Sequence, residues 1–413
     1  MIFVIGFVAW TAFALVCYAF LRKATYNVLD PLFVTHAFVP FAGAQLSVLC
    51  ATGLIAWVYF HLFCLTLAAY LVGGRLASAF FERDVFRRLI VESVDRMRRS
   101  EVNAILFITV ALTFVLAILA VQYGAQGDAR QGFARLFRPL VVLQGGLFLF
   151  SLVLLLSRRL STAMVVAWIT MLVVPSIAFS GKSVLLPIIY WFGMRLFIHG
   201  KAVSLRAGIG MFAVVLLGVG IMGVLAYRAS NATALFYLFV NRVWMSGETY
   251  IYAYQWDALA SLRGSYHVSF TAYMLHPITS LVGIRAYDKP LGGMLFTEAT
   301  GSDVLAGPNP ILPVLLDYFF PGAVVVPVVA SFVIGVLVLG IRPMGIALAR
   351  SRSRYFRLGG IAAAVFCPSM GFLDTSLVLI SLIGVAAVAV IGLLMELAFT
   401  RRPTPHAAPM ATS

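Results

Sequence analysis

The sequence predicts an all-α, polytopic helical membrane protein. Of its 413 residues, 62% are hydrophobic and 11% are charged, and the mean hydropathy is +1.00. A soluble domain carries about 25% charged residues, so an ordinary globular protein is excluded. Apolar runs of about 20 residues recur, the length that crosses a hydrocarbon core as helix. Alternating strands of about ten residues are absent, which argues against an outer-membrane barrel.

Taken in order, the apolar runs place about eleven spans, near residues 2–20, 28–50, 53–73, 104–123, 139–157, 161–179, 183–199, 207–226, 321–341, 358–374 and 377–398. Asp30, Pro31, His36 and Pro40 interrupt the second, and Pro368 interrupts the tenth. The chain therefore divides into a membrane domain of eight helices over 1–226, a large outside loop over 227–320, three further membrane helices over 321–400 and a disordered tail over 401–413. The first run has no basic residue before it and Arg22-Lys23 after it, as in a retained first helix with its N-terminus outside.

That orientation puts 21 of the 30 Lys and Arg on inside turns, including Arg342, Arg350, Arg352, Arg354 and Arg357, and nine outside. The excess follows the positive-inside rule and accounts for the net charge of +15 without nucleic acid as a partner. The C-terminus is then cytoplasmic. In the inside loop 74–103, Phe81, Val85, Phe86, Leu89, Ile90, Val94 and Met97 recur at helical spacing between arginines. This reads as an amphipathic helix on the anionic inner leaflet. Cys17, Cys50, Cys64 and Cys367 all lie in apolar runs without metal-like spacing and read as small core residues. Asp30, His36 and His61 fall within spans, where ionisable groups are functional candidates; a packing role is favoured over a proton relay.

The loop collects the remaining charge. Five of the nine outside cations, Arg228, Arg242, Arg263, Arg285 and Lys289, lie in it, although long loops follow the charge rule weakly. Guanidinium groups bind phosphate oxygens bidentately. Arg228, Arg242 and Arg285, with Lys182 of the Ser180–Ser183 turn, are therefore candidate ligands for an anionic headgroup. Residues 232–260 are rich in Tyr and Trp and suggest a helix or broken helix on the outer surface, interrupted near Ser246-Gly247. Arg242 and Glu248 are six apart, on different faces of an unbroken helix, and a break at Gly247 removes that obstacle. Glu248, and less favourably His267 or His276, could act as a base near neutral pH. No carboxylate pattern joins the histidines, so no metal is expected.

The loop closes on a Gly-x-Asn…Pro…Leu…Asp…Tyr…Gly pattern, GPNPILPVLLDYFFPG over 307–322, entering a Gly-containing span, with a short amphipathic lead-in at its end. Ser180-Gly181-Lys182-Ser183 is similar to a Ser-Gly-Ser-Arg turn, with Lys182 where Arg is common. With many spans and one dominant late loop, the chain resembles the Wzy-type polymerases of bacterial surface polysaccharide, the O-antigen or oligosaccharide-repeat-unit polymerases. The resemblance implies a GT-C-like, metal-independent glycosyltransferase of the inner membrane, without a cofactor. It implies a glycan on undecaprenyl diphosphate as substrate, with the lipid bilayer and a chain-length regulator as further partners. Carried onto the closing motif, it adds Asn309, Asp317 and Tyr318 to the substrate-binding set. Lys182 weakens the bidentate phosphate role of its position.

Two other readings share the plan: a lipid-core ligase or other lipid-sugar transferase, and a flippase or transporter of lipid-linked oligosaccharide. A transporter places charge along a central cavity. Here charge gathers in one loop while the span middles are nearly bare, which favours an enzyme.

Overall fold

The computed structural model of the chain describes residues 2–124, 129–156, 161–179, 185–201, 247–265, 268–302, 308–369 and 371–400. All regular structure among these residues is helical. The first group of helices is α1 (Ile2–Leu21), α2 (Pro31–His36), α3 (Val39–Ala51), α4 (Trp57–Ala77), α5 (Arg83–Asp95), α6 (Arg99–Gln122), α7 (Ala129–Leu136), α8 (Arg138–Leu154), α9 (Thr162–Phe179) and α10 (Leu185–Ile198). The second is α11 (Ala258–Ser265), α12 (Phe270–Thr279), α13 (Leu291–Thr300), α14 (Leu312–Phe319), α15 (Val325–Leu348), α16 (Arg354–Phe366) and α17 (Thr375–Thr400).

Six stretches among the described residues are long and apolar enough to cross a membrane: Ile2–Leu21, Pro31–Ala51, Trp57–Phe80, Arg99–Gln122, Val325–Leu348 and Thr375–Ala398. This is fewer than the eleven expected. Helices α8 and α16 are 17 and 13 residues long. At 1.5 Å per residue, α16 covers about 20 Å, short of a core of about 30 Å. The expected span at 207–226, the Ser180–Ser183 turn with Lys182, and the tail 401–413 lie outside the described residues. The second span is broken as expected: α2 ends at His36 and α3 restarts at Val39, with Pro40 in its first turn, where a missing N–H is tolerated.

Helices α4 and α15 cross with their backbones in contact. A Cβ on Gly335 would lie 2.1 Å from the Tyr70 carbonyl oxygen, and one on Gly73 would lie 2.2 Å from that of Phe332. Gly146 and Gly384 bring α8 and α17 together in the same way. Small residues permit such close approach where hydrophobic force between helices is absent.

The two ends of the bundle differ chemically. At one end Arg83 donates to the Arg22 carbonyl, and Arg354 joins Glu101 (2.8 Å) and Glu396 (3.4 Å). These ties gather α5 and the adjoining ends of α1, α6, α16 and α17. At the other end, the described residues of 247–265, 268–302 and 308–324 form a cap over the starts of α4, α8 and α17. Tyr59 stacks on Tyr254 at 3.7 Å, Arg138 meets His276 at 3.5 Å, and Leu312 N–H bonds the Phe372 carbonyl at 3.0 Å.

Three expectations need correcting. Helix α5 is amphipathic, but Phe86, Leu89, Ile90 and Val94 are buried against protein, not laid on lipid. Phe86 lies against Phe81 and Phe197, so its apolar face seals the bundle end. Arg342 is not a loop residue. It lies within α15, 1% exposed, paired with Asp30, which is 0% exposed. The stretch before Phe320 is amphipathic in sequence, but it is not a surface lead-in: every residue of α14 from Leu312 to Tyr318 is buried. The four cysteines are unpaired; Cys17, Cys50 and Cys367 are buried and Cys64 half-buried, as small core residues should be.

Candidate functional site

The described part of the cap begins at Gly247, whose N–H bonds Gln45 Oε1 of α3 at 3.0 Å. A Cβ there would lie 2.6 Å from that oxygen and 3.2 Å from the Ala42 backbone, so a larger residue would displace the Gln45 amide. Glu248–Tyr250 forms one helical segment and passes into a π-helical turn, Ile251–Gln255. Such turns are rare and recur at functional sites. The turn ends at Trp256, and Asp257 adopts a left-handed φ of 54°, which breaks the chain before α11. Asp tolerates that conformation better than most residues.

The aromatic stretch is not a surface helix where it is described. Tyr250 and Tyr252 are buried, and Tyr250 meets Phe63 edge-on. Tyr254 donates to Asp317 Oδ2 at 3.1 Å. Burial and the Asp317 charge hold its phenol pKa well above the ordinary value, so it stays a protonated donor. These rings are committed to packing and cannot stack on a sugar face. Trp256, 49% exposed, keeps that capacity.

Asp317 is the hub of the closing motif. It is buried, and it receives Arg263 as an ion pair at 3.0 Å besides the Tyr254 hydroxyl. Arg263 also donates to the Asp317 carbonyl oxygen at 2.7 Å. The carboxylate is thereby neutralised by groups from two other elements. Asn309, at the head of the motif, accepts from Thr249 Oγ1 at 2.8 Å through its backbone oxygen, which sets it beside the Glu248 segment. Tyr318 is buried, its ring edge-on to that of Phe319. The structure thus brings Glu248, Asn309 and Asp317 into one folded unit.

His276 and Arg285 form a second group. His276 is buried in α12 and stacks on Tyr287 at 3.8 Å. Its Nδ1 accepts the Ala286 N–H at 3.2 Å, while Arg138 Nη1 lies 3.5 Å from Nε2. A neutral ring has one acceptor nitrogen, so both cannot be accepted. The shorter backbone bond makes Nδ1 the acceptor and puts the proton on Nε2. Arg285 is exposed on the turn that His276 supports. Arg228, Arg242, His267 and Lys182 lie outside the described residues.

Residues that the sequence did not single out complete the site. Arg263 was counted as a loop charge, and nothing in a single sequence pairs it with Asp317, 54 positions on. Arg138 and Asp374 come from the membrane helices. Asp374 caps α17 by accepting the Ser376 N–H at 3.0 Å and its hydroxyl at 2.6 Å. Burial nevertheless raises its pKa above the usual carboxylate value. A raised folded pKa favours folding below the unfolded pKa, and the benefit is lost as pH rises through the folded value. Asp374→Asn keeps the cap acceptor and removes the partly buried charge. It should therefore raise the melting temperature in detergent at pH 8, with the difference narrowing toward pH 4. A variant less stable than the parent at pH 8 would show that the charge itself is needed.

Comparison with known proteins finds no matching family model, no matching curated protein and no matching solved structure.

Proposed function

We propose that the chain polymerises undecaprenyl-diphosphate-linked oligosaccharide repeat units into surface polysaccharide at the periplasmic face of the bacterial inner membrane. In this reading the cap is periplasmic, as is the N-terminus, the arginine-rich end and C-terminus are cytoplasmic, and the chain passes the bilayer eleven times in a GT-C-like plan. The observation that carries the proposal is the seating of the closing motif: Asp317 is held by Arg263 and Tyr254, and Asn309 by Thr249, at one end of a membrane bundle. A folded polar cap at the edge of an apolar bundle suits a substrate with a lipid tail and a sugar head.

The reaction is a glycosyl transfer. An acceptor hydroxyl on one lipid-linked unit attacks the anomeric carbon of the growing glycan. The new glycosidic C–O bond forms as the bond to diphosphate breaks, and undecaprenyl diphosphate leaves with the electron pair. Glu248 takes the hydroxyl proton. Fixed cations stabilise the developing charge, the largest single term in many such sites. Arg285 is exposed for that task, with Arg228, Arg242 and Lys182 as further candidates.

The test is the surface glycan of a deletion strain, resolved on a gel. Loss of long chains with one repeat unit still attached is the expected result. Loss of every attached unit would indicate a ligase instead. Normal long chains would remove both readings.

A further inference from the structure

At the arginine-rich end, opposite the cap, a cavity of about 370 Å³ opens between the end of α1, the connection to α2 and the start of α5. Arg22, Lys23 and Arg83 line it. Basic residues after a first helix ordinarily anchor topology by reaching separately into the headgroup layer. Here a third cation, 61 positions from Arg22, converges on the same space and is tethered by donating to the Arg22 carbonyl. Among the described residues none of the three has a carboxylate partner. Glu82 and Asp84 flank Arg83 in sequence but are exposed and make no ion pair with it.

The contrast with Arg342 is informative. That arginine, in the same end of the bundle, has its charge met by Asp30. The three cavity cations have no such counter-charge, so the cavity is built for an anion it does not itself supply. The rest of its wall combines Tyr18, Tyr26, Val28 and Phe33 with the polar Thr25 and Asn27. Tyr18 and Val28 are 45% and 48% exposed and the three cations are exposed as well, so the cavity is an open cleft with an apolar side beside a cationic one. Basic pockets of this kind at a membrane boundary take phosphate headgroups.

We propose that this cavity binds a phosphate group, carried by an anionic lipid or present as free phosphate. The site is remote from the cap and does not depend on the glycan chemistry proposed for it.

The test uses the full chain, purified in phosphatidylcholine nanodiscs with or without phosphatidylglycerol, with retained lipid counted by native mass spectrometry. Inorganic phosphate is titrated separately into the phosphatidylcholine sample. Arg83→Gln and the triple variant Arg22→Gln/Lys23→Gln/Arg83→Gln are compared with Arg88→Gln, an exposed arginine of α5 outside the cavity. The expected result is preferential retention of phosphatidylglycerol, weakened about fivefold for each cavity cation removed and unchanged in Arg88→Gln. Phosphate binding without phosphatidylglycerol retention, lost in Arg83→Gln, supports the site and assigns it to free phosphate. Binding of neither, or equal losses in Arg88→Gln and Arg83→Gln, overturns the proposal. The single variant serves if the triple one does not fold.

Discussion

Arg342→Ala is expected to cost about 3–5 kcal/mol of stability, the usual cost of stranding one partner of a buried ion pair. Asp30 receives Arg342 Nη1 at 2.8 Å, a second bond from Nη2, and the backbone N–H groups of Tyr26 (3.0 Å) and Leu32 (2.9 Å). Arg342 also donates to the Ala24 carbonyl and lies over the Phe81 ring. With the guanidinium gone, a fully buried carboxylate keeps two N–H donors and no counter-charge. The two donors do not offset the loss of hydration, so the variant should melt far below the parent in detergent and accumulate poorly in membranes. Arg342→Lys should recover only part of the loss, because an ammonium cannot form the two-pronged bond. The informative control is Asp30→Asn with Arg342→Met. Asn still accepts from Leu32 as helix cap, and no charge remains to be stranded, so the double variant should be more stable than Arg342→Ala alone. A loss below about 1 kcal/mol for Arg342→Ala would mean that water reaches the pair, since exposed pairs are worth that little.

That pair also shows what a single sequence can and cannot tell. Asp30 is legible as an ionisable residue in an apolar run, and its packing role follows from the rarity of such groups. Arg342 is not legible as its partner: it stands among the arginines after a span and counts naturally as an inside loop charge. Helical membrane architecture is legible because hydropathy is a sum over many residues, and the break in the second span because Pro acts locally. The number of crossings is less so, since hydropathy marks a full span near 358–374 while the regular helix there, α16, holds only 13 residues. The cap fails for a related reason. A loop with Tyr, Trp and charges reads the same whether it lies on lipid or folds onto protein. Only the partners decide: Phe63 and Tyr59 against the tyrosines, Arg263 against Asp317. These pairs are distant in the chain and carry no local signal. Glu248 and the closing motif were chosen as candidates from residue type and pattern, while the contacts of Arg263, Arg138 and Asp374 needed the fold.

Under the proposed polymerase function, with Glu248 as the proposed base, Glu248→Gln is expected to reduce chain lengthening by at least about a hundredfold, the lower range for losing a general base. The substitution keeps the shape of the side chain and one hydrogen-bond acceptor, and removes its charge and its basicity. Glu248 is half-buried, so the change should leave insertion and melting temperature near those of the parent. The structure sharpens the choice between it and His276. A base needs a lone pair, and His276 spends its Nδ1 lone pair on the Ala286 N–H while Nε2 carries the proton. His276 is better suited to holding the 283–288 turn, and with it Arg285, in place. His276→Gln should therefore lower the melting temperature together with activity, whereas Glu248→Gln should lower activity alone. Gel analysis of surface glycan beside the melting temperature of each purified variant separates the two. Long-chain polymer at the parent level in Glu248→Gln would sink its assignment as the base. Asp317→Asn provides the third arm: it weakens the tie to Arg263 without touching Glu248, so its loss of polymer should track its loss of stability.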